Sequence, residues 1–113
     1  MPERFGLSEK NFNAILDALR TFPQVEDVLI FGSRALGNAK KGSDVDLALQ
    51  GAHVDERTAT AVSALLNEEL PLPYFFDVLV FDSIEDAVLR EHIEKYGQSL
   101  FLVDGALQNM IIE

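Results

Sequence analysis

Between Leu7 and Leu19 the apolar residues Phe12, Ile15, Leu16 and Leu19 recur at three- and four-residue spacing, the period of one helix face. Ser8 is placed to cap that helix and Leu7 to staple against Phe12, so the pattern predicts a helix from about Ser8 to Phe22, ended by Pro23. The period then changes. Val28 to Phe31 is an apolar run of strand length, which predicts a strand over about Glu26–Phe31 that breaks at Gly32-Ser33. Ser33 to Leu36 reads as a short helix stopped by Gly37, and Asn38 to Ser43 as a polar loop. A second strand is expected from about Val45 to Gln50, broken by Gly51. Asp55 can cap a second long helix whose stripe is Ala61, Leu65 and Leu66 and which runs to Leu70. Pro71-Leu72-Pro73 stops it and leads into Tyr74–Phe81, the most strand-like run in the chain. Ser83, with Asp86 three residues on, predicts the start of a last helix over about Ile84–Tyr96, ending at Gly97. Two further apolar groups follow, Leu100 to Val103 and Met110-Ile111-Ile112. With no repeat or linker, this order points to a single domain over residues 1–113 of α/β (α+β) class: a mixed sheet with helices packed on one side of it.

Three acidic residues interrupt the apolar pattern where strands begin or run. Asp44 and Asp46 stand two apart at the start of the second strand, so they aim together while Val45, Leu47 and Leu49 face the other way. Carboxylates roughly 7 Å apart would repel by about 2 kcal/mol at an effective dielectric near 20, a cost that a cation between them would remove. Hard cations such as Mg²⁺ take oxygen ligands of this kind, together with substrate phosphates. The bland alternative is a pair of solvated carboxylates at a strand start. Asp77 is the anomaly in an aromatic and β-branched strand, sharing a face with Leu79 and Phe81. Buried, it must be neutralised, paired to an Arg or Lys, or metal-bound. Asp82, its competitor, reads more simply as turn chemistry beside Ser83. At Gly32-Ser33 the missing Cβ lets a ligand approach the backbone, and a helix beginning at Ser33 would offer amides to a phosphate. A lone Gly-Ser is more often an ordinary strand-to-helix turn. His53 and His92 are isolated from each other and read as structural or solvated.

Composition narrows the classes. Apolar residues at 48% and charged residues at 25% match an ordinary soluble globular domain, and no apolar run approaches the roughly 20 residues of a membrane span. The chain has no cysteine, and Met1-Pro2-Glu3-Arg4 lacks a secretory pattern, so a cytoplasmic home is expected. Nineteen acidic residues against nine basic leave a net charge of −10, which argues against direct binding of nucleic acid. Lys40-Lys41 with nearby Arg34 is the densest basic group, enough to help hold one triphosphate.

Taken together, Gly32-Ser33, ten intervening residues, then Asp44-Val45-Asp46, with Asp77 on a later strand, resemble the signature of the polymerase-β-like nucleotidyltransferases. The wider runs Phe31 to Gly37 and Ser43 to Leu47 look like the minimal nucleotidyltransferase (MNT) branch, and the similarity covers roughly Glu9 to Leu102. The resemblance implies that fold and a two-metal transfer: Asp44 and Asp46 would bind both Mg²⁺ ions, and Asp77 would complete the catalytic-metal site and favour deprotonation of the attacking hydroxyl. Gly32 and Ser33 would hold the outgoing phosphates of a nucleoside triphosphate such as ATP, with Arg34, Lys40 and Lys41 neutralising charge. Leu36 departs from the pattern, since many relatives carry a second basic residue there. Relatives of this type commonly act as antitoxins beside a helical HEPN toxin, in some cases moving AMP from ATP onto a toxin tyrosine. The acidity of the chain suits a basic partner. Larger relatives add an acceptor-gripping domain that this chain lacks, so acceptor recognition is expected from a partner or a second copy. Two rivals stand beside this reading: a catalytically silent binding module that neutralises a HEPN partner by occlusion, and transfer to a small molecule such as an aminoglycoside. Gain of one AMP by the partner, seen by mass spectrometry, separates the transferase from the silent binding module.

Overall fold

The computed structural model describes residues 4–40 and 42–102, so Lys41, Val103 and the Met110-Ile111-Ile112 tail lie outside the described residues. The elements in chain order are helix α1 (Glu9–Leu19), strand β1 (Asp27–Phe31), the single-turn helix α2 (Ser33–Leu36), strand β2 (Val45–Gln50), helix α3 (Glu56–Ala64), strand β3 (Phe76–Val80), helix α4 (Ala87–Tyr96) and strand β4 (Gln98–Ser99). The four strands form one sheet in the order β3-β2-β1-β4. β1 pairs antiparallel with β2 and β4, whereas β2 and β3 run parallel, so the sheet is mixed.

Local chemistry sets most element ends. The Ser8 side chain accepts a hydrogen bond from the Asn11 amide at 3.1 Å, as expected of an N-cap, and Phe12, Ile15, Leu16 and Leu19 point into the core. Asp55 caps α3 in the same way, accepting from the Thr58 amide at 3.0 Å. α3 does not stop at Ala64; its last turn, Leu65–Glu69, widens to π geometry and reaches the stretch the apolar stripe predicted. The start of α4 differs from expectation. Asp86 is the N-cap, accepting from the Val88 and Leu89 amides at 2.9 and 3.2 Å, because Phe81–Ser83 is spent in a 3-10 turn that continues β3. β4 has no counterpart in the sequence reading.

The register decides which side chains share a face. β2 turns Val45, Leu47 and Leu49 into a core with Val28 and Ile30 of β1, Phe76 and Val80 of β3, and the apolar sides of α1 and α3. On the opposite face Phe31, Ala48 and Phe81 meet Ile93 of α4, flanked by Leu29, Leu79 and Leu89. Helices therefore cover both faces, which corrects the expectation of a one-sided layer. Periodicity gives each helix an apolar stripe but not the face on which it lands. None of the helices among the described residues is long and apolar enough to cross a membrane.

Candidate functional site

Two rows of side chains cross the second face of the sheet. Leu29, Ala48 and Leu79 are mutual register partners on β1, β2 and β3, and they form the apolar row beneath α4. One step toward the sheet rim, Phe31, Asp46 and Asp77 are partners in the same order. Asp46 and Asp77 thus leave adjacent strands at facing positions, strands that lie about 5 Å apart. Asp44 lies just before β2, outside the ladder, and joins them at the rim. The bonds around this point are regular: the Val45 amide donates to the Phe75 carbonyl at 2.9 Å and carries the parallel pairing up to the rim.

The site is open. Asp44 and Asp77 are exposed and Asp46 is half-buried. Burial of Asp77, which the aromatic neighbours in sequence suggested, is not found: Phe76 and Val80 take the core side, and Asp77 emerges on the other near the beginning of its strand. The acid that carries the electrostatic cost is Asp46. Burial pushes its pKa above the ordinary value of 3.8, and the charges of Asp77 and then Asp44 push it further, with Arg34 opposing. The three acids therefore feel one another. Among the described residues no group of three or more acids or histidines is placed to hold a metal ion by itself. The donor set is instead an unclosed rim of hard oxygens, which fits a cation whose remaining ligands come from phosphates or water.

Gly32 ends β1 beside this row with φ +76° and ψ −152°, a conformation that favours glycine. A Cβ built there would overlap the Asp46 carboxylate, so the space that its missing side chain leaves is taken by an acid of this same chain. Ser33, half-buried, opens α2, and Gly37 closes that turn at φ +80°, its amide bonding back to the Arg34 carbonyl at 3.4 Å. Lys40 is exposed in the following loop; Lys41, predicted beside it, lies outside the described residues.

Arg34 is placed differently from the expectation that it neutralises a triphosphate. Only 3% of it is exposed. Its Nη2 donates to the Ser43 carbonyl at 2.6 Å, its Nε to the Asp44 carbonyl at 3.3 Å and its Nη1 to the Phe5 carbonyl at 2.8 Å. The guanidinium carbon lies 4.9 Å from the centre of the Tyr74 ring, whose hydroxyl accepts from Asn11 of α1 at 2.9 Å. Tyr74 and Asn11 are supports that the sequence did not single out; nothing in their spacing relates them to the Gly-Ser turn. A cleft of about 550 Å³ opens beside them, lined by Gly6, Arg34, Ala39, Lys40, Gly42, Pro73 and Tyr74. None of the three aspartates lines it. His53 is exposed, and His92 packs its ring 5.2 Å from that of Tyr96 on α4.

The family model described as "Polymerase beta, Nucleotidyltransferase" matches residues 13–105. No curated protein matches the chain. Among solved structures, a toxin-antitoxin crystallised with AMP-PNP is similar to it at 26% identity, over 80% of this chain and 72% of that one, with a TM-score of 0.66. A mutant of the toxin-antitoxin MntA-HpeT is similar at 25% identity, over 79% and 70%, with a TM-score of 0.63. The tri-AMPylated Shewanella oneidensis HEPN toxin in complex with MNT antitoxin shares the fold at 23% identity, over 81% and 70%, with a TM-score of 0.61.

Proposed function

Because the chain belongs to the polymerase-β nucleotidyltransferase family, we propose that it transfers AMP from ATP to a partner protein and serves as the antitoxin of a toxin–antitoxin pair. The observation that carries this reading is the acidic row: Asp46 and Asp77 paired in register on one face, Asp44 at the rim, and Gly32 shaped around the Asp46 carboxylate. A scaffold that only occluded a partner would have no use for three carboxylates set against one another, since burial, and then the charges of Asp77 and Asp44, raise the Asp46 pKa without any return in packing. Similarity to a toxin-antitoxin crystallised with AMP-PNP supports an adenine nucleotide and a protein partner. A HEPN-type toxin is the partner that the resemblance in the Gly-Ser and Asp-x-Asp motifs implies, and the cytoplasm, where ATP is abundant, is the expected compartment.

In this reading Asp44, Asp46 and Asp77 hold Mg²⁺, which would supply charge neutralisation and Lewis acidity at the transferred phosphoryl group. The residues of the chain do the rest. Gly32 and Ser33 present backbone and hydroxyl donors to the outgoing phosphates. Asp77, on the edge of the row and exposed, is where an acceptor hydroxyl can approach and lose its proton. Α neighbouring floor of Leu29, Ala48 and Leu79 under α4 limits water on that side.

The test is intact-mass analysis of a HEPN-type protein that binds this chain, incubated with the chain, ATP and Mg²⁺. A gain of AMP that is lost with Asp44→Asn is the expected result. Binding with no gain in mass would replace the transferase by a module that acts through occlusion.

A further inference from the structure

We propose that Arg34 is the positioning residue of the transfer: it ties the Gly32-Ser33 corner to the acidic rim and so fixes where the Asp44 carboxylate stands. The inference rests on the transferase reading for its consequence, but its geometry stands apart from it.

Asp44 is the acid that the sheet holds least. It precedes the β2 ladder, is exposed, and ends a loop bordering the 550 Å³ cleft. Within that loop Ser43 and Lys40 close a small turn of their own, through Ser43 N to Lys40 O at 2.9 Å and Lys40 N to Ser43 Oγ at 2.9 Å. A Cβ at Gly37 or Gly42 would meet nothing within 4 Å, so open space lies beside each of these two glycines. What joins its end to the body of the protein is Arg34, whose Nη2 and Nε take the carbonyls of Ser43 and Asp44 in succession. Arg34 follows Ser33 directly. One side chain thus links the two halves of the motif and closes the intervening loop at its root.

The guanidinium is itself held from three sides. Tyr74, in the approach to β3, lies against its face, and Asn11 of α1 fixes the Tyr74 hydroxyl. The turn Arg4–Leu7, closed by Leu7 N to Arg4 O at 2.8 Å, brings the Phe5 carbonyl to Nη1. That turn runs through positive φ at both central residues, Phe5 (57°) and Gly6 (72°), an unusual conformation for phenylalanine. A Cβ at Gly6 would lie 2.9 Å from Nη1. A buried charge is costly unless hydrogen-bonded, and here carbonyls and a ring face do that work. Lysine keeps the charge but has no planar fork to span two successive carbonyls.

Arg34→Lys is the test, read in three ways. Amide hydrogen exchange should quicken at residues 38–44 while β1, β2 and β3 keep their protection. Half-maximal transfer should need more Mg²⁺, and kcat should fall about 10- to 100-fold, the scale for losing a residue that orients a ligand. KM for ATP should hardly change. If KM rises while the Mg²⁺ requirement stays put, Arg34 grips the triphosphate and the proposal fails. If exchange in the loop is unchanged, the clamp is refuted regardless of activity. A loosened loop in a protein whose wild type transfers nothing would instead sink the transferase reading and leave the clamp standing. Should Arg34→Lys fail to fold, Tyr74→Leu removes the ring support and is expected to give the same pattern with smaller changes; no quickening of loop exchange there overturns the proposal.

Discussion

β2 contributes to two faces that obey opposite rules. Val45, Leu47 and Leu49 point into a core closed by α1 and α3, and each is fully buried. One residue out of step, Asp46 and Ala48 point to a face that α4 covers only in part. Ala48 is buried against Ile93; Asp46 is half-open, and burial together with the neighbouring acids raises its pKa. The first face is finished, since every position removes apolar surface from water. The second is stopped one row short, and at that row the fold tolerates repulsion. A scaffold that stores its unfavourable charge at the edge of a completed core can keep it there because the core does not depend on it.

The sharpest way to break this contrast is a pair of substitutions, one per face. Leu47→Ala removes a fully buried side chain and should destabilise by about 2–5 kcal/mol, read from urea unfolding. Asp77→Asn, on an exposed side chain, should leave the unfolding midpoint near wild type and reduce AMP transfer on the order of 100-fold or more. Transfer at the wild-type rate by Asp77→Asn would mean that the open row is only unfinished surface.

Next in size is Gly32→Ala, which strikes where the two rules meet. The added methyl must occupy the place of the Asp46 carboxylate at a backbone φ of +76°. The backbone strain alone is about 1–3 kcal/mol. Displacement of Asp46 should in addition lower transfer about tenfold or more, seen as a fall in kcat. A variant as stable and as active as wild type would show that Asp46 has no fixed station beside β1.

Much of the closed face can be read from the sequence. The stripe of α1 with its Ser8 cap, and the alternation Val45-Asp46-Leu47, are local patterns, and the structure places them as their periods require. The open face is harder to read. Its approximate location follows from Gly32-Ser33 and Asp44-Val45-Asp46, yet the contacts that shape it join residues far apart in the chain. Arg34 looks like a free cation from its neighbours; its acceptors, at Phe5 and Ser43–Asp44, come from segments that only the fold brings together. Gly32 reads as room for a ligand because the arrival of Asp46 is a matter of strand register. β4 is two polar residues long, Gln98-Ser99, and two residues have no period. It is held by pairing with Leu29 and Ile30 and by Ser99 Oγ donating to Asp27 at 2.6 Å.

The smallest effect tests whether the open row costs stability. With its pKa raised, Asp46 holds its proton more tightly in the folded protein than in the unfolded chain, where the value is about 3.8. Its contribution is therefore complete below pH 3.8 and is lost as pH rises through the folded value. Asp55 has the opposite sign: hydrogen bonds from the Thr58 amide and then the Thr58 hydroxyl lower its pKa, so its contribution is present above 3.8 and is lost as pH falls through the folded value. In EDTA at neutral pH, Asp46→Asn should thus be more stable than wild type, by about 1 kcal/mol or less given the exposure of the site. The advantage should vanish below pH 3.8, where the wild-type carboxyl is protonated as well. Adding Mg²⁺ should reverse the order at neutral pH, because bound cation stabilises the folded wild type and has lost a ligand in the variant. If thermal unfolding shows no advantage for Asp46→Asn in EDTA at any pH, the acids do not burden the fold and the contrast between the two faces is one of packing alone.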